Sequence, residues 1–148
     1  MKKLILITVC LFSFIAHGIP IPKNNVANFD IIRKNKIIGS AKTTFTYNKI
    51  EKELIINTLL EIEVKVLFIP AYKFLQKSKE IWKDGKFTNF EGYTNFEDER
   101  EYFITGEDRG NMFIASGMDG QLELDADIIP LNYLNKEILN EKNVFDTQ

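Results

Sequence analysis

The 148-residue chain has one cysteine and one histidine, Cys10 and His17, and both fall within its first 18 residues. Residues 19–148 therefore carry no thiol and no imidazole. Disulfides are excluded there, as are Cys- and Ser/His/Asp-type nucleophilic catalysis and zinc held by thiolate or imidazole. No glycine-rich nucleotide motif is present. Charge of one sign is not concentrated either: the formal net charge is −2, and nothing reads as a basic nucleic-acid face. No acidic loop has EF-hand spacing, and Glu97-Asp98-Glu99 reads as a solvated turn. The sequence thus calls for no metal and no cofactor.

The one long apolar run opens the chain. Lys2 and Lys3 precede the apolar residues 4–15, and Ala16-His17-Gly18 places small residues at −3 and −1 of a cut after Gly18. A run of about 12 residues is short of the roughly 20 that span a bilayer. Residues 1–18 therefore read as a secretory signal peptide; the alternative is an uncleaved amphipathic or membrane-anchoring start. Cys10 follows Val9 inside the apolar run and makes a poor lipid-attachment site. The expectation is an exported protein, in the periplasm of a Gram-negative bacterium, with no transmembrane span in the mature chain. Residues 19–27, with Pro20 and Pro22, form an extended leader. Residues 28–148 form a single β-rich domain, long enough for a sizeable core.

From Asn28 the pattern is almost all strand. In Glu53–Val66 the even positions from Leu54 to Val66 are apolar or Thr, while Glu53, Asn57, Glu61, Glu63 and Lys65 occupy odd ones. This period of two marks a strand with one buried face. Similar stretches at 28–33, 36–47, 71–83, 86–95, 100–106, 111–116 and 121–126 bring the number to about eight. Turn signals separate them, and a short helix is expected over residues 131–140. One antiparallel sheet of this size curls or closes, so the expected fold is mainly β: a curved antiparallel sheet or half-open β-barrel.

Asp84-Gly85 predicts a two-residue type I′ hairpin. An unbroken register from that turn places Trp82 opposite Phe87, Glu80 opposite Asn89, Ser78 opposite Glu91 and Gln76 opposite Tyr93. Tyr72 and Phe74 extend the same face. The opposite face holds Lys73, Lys77 and Lys79 and is the expected solvent side. Tyr72, Phe74, Glu80, Trp82, Phe87, Asn89, Glu91 and Tyr93 are therefore the candidate ligand-binding residues, since aromatic rings around a few polar groups are typical of a ligand cavity. Two other readings stay open: Glu80 accepts hydrogen bonds from Asn89 and a nearby Tyr and ties the sheet together, or the lysine face is the inner one. Val66-Leu67-Phe68-Ile69-Pro70-Ala71-Tyr72 joins two strands without a charge or a glycine. Exposed, it would mark a contact site for lipid or a partner; the preferred expectation is that it is tucked under the sheet or capped by the C-terminal segment.

A set of motifs stands in order along the chain: Phe29-Asp30, Ile38-Gly39, Tyr72, Glu80-Ile81-Trp82-Lys83-Asp84-Gly85, Pro130-Leu131-Asn132-Tyr133-Leu134-Asn135 and Asp146-Thr147-Gln148. This order resembles the exported bacterial family called domain of unknown function 6134, over about 120 residues. The resemblance implies an envelope-located β-rich domain with no established activity. The family pattern has Ser-Tyr-Trp-Asn after the proline, and here Asn132 and Leu134 stand in place of Ser and Trp. It also runs on through a glycine and a final strand, so the resemblance implies a missing strand and an unpaired sheet edge.

Three functions follow as expectations. The first is a binding module for an apolar or amphipathic, lipid-like small molecule in the concave face. The second is a structural or protein-interaction module of the envelope, with an envelope protein as partner. The third is a carboxylate-based hydrolase using Glu80 and Glu91, whose two groups would need to flank one bond. No catalytic residue is assigned.

Overall fold

The computed structural model describes residues 19–96 and 100–146. The expected signal peptide, the Glu97-Asp98-Glu99 turn and the last two residues lie outside the described residues.

Eight strands follow one another in a single antiparallel sheet: β1 Val26–Arg33, β2 Lys36–Asn48, β3 Glu53–Val66, β4 Ile69–Lys83, β5 Lys86–Phe96, β6 Glu101–Asp108, β7 Met112–Gly117 and β8 Gly120–Asp125. Each pairs with its neighbours in sequence, from β1 to β8, and the sheet is not closed. The strand count and antiparallel pairing are those expected from the alternation, and β3 has the bounds read from its pattern.

The turns explain the order. Asp84 and Gly85 hold φ of 49° and 82°, and Lys34 and Asn35 hold 49° and 61°. Positive φ at both central residues is the type I′ signature, whose twist matches that of the flanking strands.

One face of the sheet carries the core: Phe45, Ile56, Trp82, Phe87, Phe90, Phe113 and Ala115 are buried on it. Phe87 stacks on Phe113 with centroids 4.9 Å apart, and Trp82 lies 5.3 Å from Phe87. Gly106, on β6, leaves the space that the Phe113 ring fills.

The cover of this core is the chain's own C-terminal segment. Ile128 and Phe145 are buried against the cluster, and Ile129 and Leu134 pack beside them. Phe145 meets Phe90 edge-on at 5.3 Å. The backbone closes the segment on itself, with Leu131 N–H donating to Phe145 O and Phe145 N–H to Ile129 O, both at 2.8 Å.

The helix expected over residues 131–140 is corrected to a four-residue 3₁₀ turn, Lys136–Leu139. Asparagine side chains are the reason. Asn132 Oδ1 accepts from Leu134 N–H at 2.9 Å, and Asn135 Oδ1 accepts from Glu137 N–H at 3.1 Å. These local bonds offer the backbone an alternative to the helical ladder.

Candidate functional site

The expected register of the β4–β5 hairpin breaks after one pair on the Trp82 side. Trp82 faces Phe87 as read from the sequence, but Ile81 faces Asn89 and Glu80 faces Phe90. Thr88 is the extra residue of a β-bulge, and its Oγ1 donates to Ile81 O at 3.1 Å. Past a bulge every side chain changes face. Phe90, Gly92 and Thr94 therefore join Trp82, while Asn89, Glu91 and Tyr93 move to the opposite face. The physical reason is burial: the bulge puts Phe90 in the core and leaves the Glu91 carboxylate in water, where it meets Lys79 Nζ at 3.4 Å.

The eight candidate residues thus divide. Glu80, Trp82 and Phe87 sit together on the covered face. Phe74 shares that face further along, edge-on to Phe96 at 5.2 Å. Tyr72 lies beyond it, exposed on the part of β4 that pairs with β3 alone. Glu91 and Tyr93 line an open trough of about 800 Å³ on the other face, with Lys42, Lys77, Leu59 and Phe103. Tyr93 Oη donates to Glu101 Oε1 at 2.8 Å, and that bond pushes the phenol above its usual range. Glu80 and Glu91 therefore lie on opposite faces and cannot flank one bond. The lysine face is the outer one, as expected.

Glu80 is only 4% exposed. Its Oε2 accepts from Trp82 Nε1–H at 3.0 Å and its Oε1 from Asn132 Nδ2 at 2.8 Å. The partners expected for it, Asn89 and a Tyr, are replaced by the indole two residues along and by an amide from the C-terminal cover. Burial pushes the Glu80 carboxyl above its usual range, while the two hydrogen bonds pull it back down. No sequence signal marked Asn132 as a partner, since the two residues are 52 apart.

Beside this carboxylate, between sheet and cover, lies a pocket of about 340 Å³. Phe29, Ala41, Leu60, Leu131 and Leu134 give it apolar walls. Thr43, Thr58, Gln76, Ser78 and Glu80 from the sheet and Asn132 from the cover bring polar groups among them, and Thr43 and Thr58 hydroxyls bond to each other at 3.0 Å. Among the described residues no Lys or Arg lines it. Ala41, Thr43, Thr58 and Leu60 were missed from the sequence. The inward direction of Thr58 and Leu60 was readable from the alternation of β3, but the convergence of all four on Glu80 depends on the cross-strand pairing of Ala41 with Leu60 and of Thr43 with Thr58.

The family described as "Domain of unknown function (DUF6134)" matches residues 29–148. The chain belongs to the DUF6134 family. No curated protein and no solved structure gives a significant match. In this DUF6134 chain the matched span holds β1 from Phe29 onward, all other strands, the C-terminal cover and every residue named around the pocket. Among the described residues no group of three or more acidic, His or Cys side chains could hold a metal ion, and no helix is long and apolar enough to cross a membrane.

Proposed function

We propose that this DUF6134 chain is an exported, non-catalytic binding domain that takes a small amphipathic molecule into the pocket beside Glu80. One observation carries the reading: a recess of about 340 Å³ with apolar walls on both sheet and cover holds a buried carboxylate among a few polar groups. That size is at the lower end of the roughly 300–1,000 Å³ typical of ligand sites. It suits a single short chain or ring system better than a two-chain lipid. The head group is uncharged or cationic, because a carboxylate with no cation beside it repels an anion. The apolar walls take the tail. Export rests on the basic start, apolar run and small residues of positions 1–18. The absence of a catalytic step rests on the separation of Glu80 from Glu91.

Trp82 is the only tryptophan, and its indole is bonded to the carboxylate that lines the pocket. Its emission therefore reports on the site. Titration with medium-chain alcohols, amines and fatty acids is expected to give a saturable change with the first two classes. Ala41→Phe, which fills the recess, is expected to abolish it while leaving the circular dichroism spectrum unchanged. Saturable binding of fatty acids alone, indifferent to Ala41→Phe, would overturn the proposal in favour of the lysine-lined trough.

A further inference from the structure

At one end of the molecule the β3–β4 hairpin runs past its neighbours. β2 pairs with β3 as far as Ile62, and β5 pairs with β4 as far as Phe74. The final rungs, from Glu63 with Lys73 to Val66 with Ile69, join only β3 to β4. At roughly 3.3 Å per residue, Ile62 to Val66 carries the tip about 13 Å beyond the last rung shared with β2. The expectation that this apolar corner is tucked away is corrected: Leu67 is 85% and Phe68 97% exposed, and Val66, Ile69 and Pro70 are exposed with them.

Leu67 and Phe68 also hold φ of 50° and 69°. Large side chains are strained in that region, and Asn-Gly is the favoured choice at these two positions. The chain thus keeps two bulky apolar residues where turn chemistry disfavours them and where no core rewards them. An outlier of this kind points to a function.

The base of the tip is basic. Lys65 and Lys73 flank it, and both meet Glu63, at 2.9 and 3.9 Å. The β1–β2 turn lies alongside, with Arg33, Lys34 and Lys36 bordering the same notch as Glu63 and Lys65. Ile32 and Ile37 are exposed on that turn too. Of the described residues that line this notch, Glu63 is the one acid.

We propose that this end of the molecule docks on a lipid bilayer, with residues 66–70 entering the head-group/acyl boundary and the five cations meeting anionic head groups. The chemistry favours a bilayer over a protein groove. The tip is apolar on all sides, so a groove contacting one side would leave the rest in water, whereas a bilayer surrounds it. The short apolar length of the tip matches the roughly 5–10 Å to which interfacial segments sink. Basic residues at the rim gain from an anionic surface. This inference does not depend on the pocket beside Glu80.

The test uses the full chain and phosphatidylcholine vesicles with and without phosphatidylglycerol. A tryptophan is placed at the tip (Phe68→Trp) or at the far end of the sheet (Ile50→Trp). Ile50 is 94% exposed in the β2–β3 turn, so it controls for binding through any other part of the chain. Dibrominated acyl chains are expected to quench the Phe68→Trp signal in phosphatidylglycerol vesicles and leave the Ile50→Trp signal unchanged. The double variant L67N/F68G is expected to lower the partition coefficient at least about tenfold, or about 1.4 kcal/mol, while keeping or raising the thermal midpoint. K34E/K36E is expected to weaken binding to the anionic vesicles only. Equal quenching at both positions, no quenching at Phe68→Trp, or unchanged partitioning of L67N/F68G would overturn the proposal.

Discussion

Asn132→Ala tests how the cover is held to the sheet. The Asn132 amide donates to Glu80 Oε1 at 2.8 Å, and its carbonyl accepts from Leu134 N–H at 2.9 Å. The substitution removes both bonds. A hydrogen bond to a charged, buried acceptor contributes about 1.5–3 kcal/mol, and a neutral backbone bond about 0.5–1.5 kcal/mol. Some of the second is recovered through water, because Leu134 is only partly buried. The expected loss is therefore about 2–4 kcal/mol at neutral pH, read as a shift of the urea midpoint at constant m-value. The loss should also depend on pH. Asn132 lowers the pKa of a carboxyl that burial raises, so its bond is strongest when Glu80 is ionised. The cost of Asn132→Ala should shrink as pH falls and Glu80 takes its proton in both proteins. Asn132→Ser keeps a donor and a local acceptor and should recover part of the loss. A cost below about 0.5 kcal/mol at neutral pH, or one that does not change with pH, would refute the reasoning.

Three further outcomes follow from the same geometry. Because burial raises Glu80 in the folded state, its contribution is fully present below about pH 4.5, the ordinary carboxylate value, and is lost as pH rises through the raised folded pKa. Glu80→Gln should therefore gain on the wild type across that window, by at most about 1.4 kcal/mol per pH unit, with a flat difference below it in paired denaturation curves. Gly106→Ala would drive a methyl into the Phe113 ring and should cost about 1–3 kcal/mol in thermal unfolding. Phe145→Ala should cost about 3–5 kcal/mol and raise amide exchange across residues 128–145 before the strands open.

Periodicity made most of the sheet legible. β3 alternates without a break and its ends were readable to the residue, because one face is buried at Ile56 and half-buried along most of the rest of its length. β5 was not legible past Thr88, since a one-residue bulge changes the face of all that follows. A signal was present: Phe87 and Phe90, both core residues, are three apart and cannot share a face of an unbroken strand. The C-terminal cover misled for a different reason. Leu134 and Ile138 have helical spacing, but Asn132 and Asn135 divert the backbone into local turns. The exposed tip ran against turn chemistry, and Leu67-Phe68 offered nothing in sequence to suggest positive φ. The site was half-visible: Glu80 and Trp82 share a face whatever the register, while Asn132 reaches them only through the fold.

The central claim is that the recess beside Glu80 holds a small amphipathic molecule. The most direct measurement is native mass spectrometry of the protein released gently from the cells that make it, beside an Ala41→Phe variant from the same cells. The account predicts one small adduct of neutral or basic character on the wild-type protein and none on the variant. A wild-type spectrum free of adducts, or the same adduct on both proteins, would contradict it.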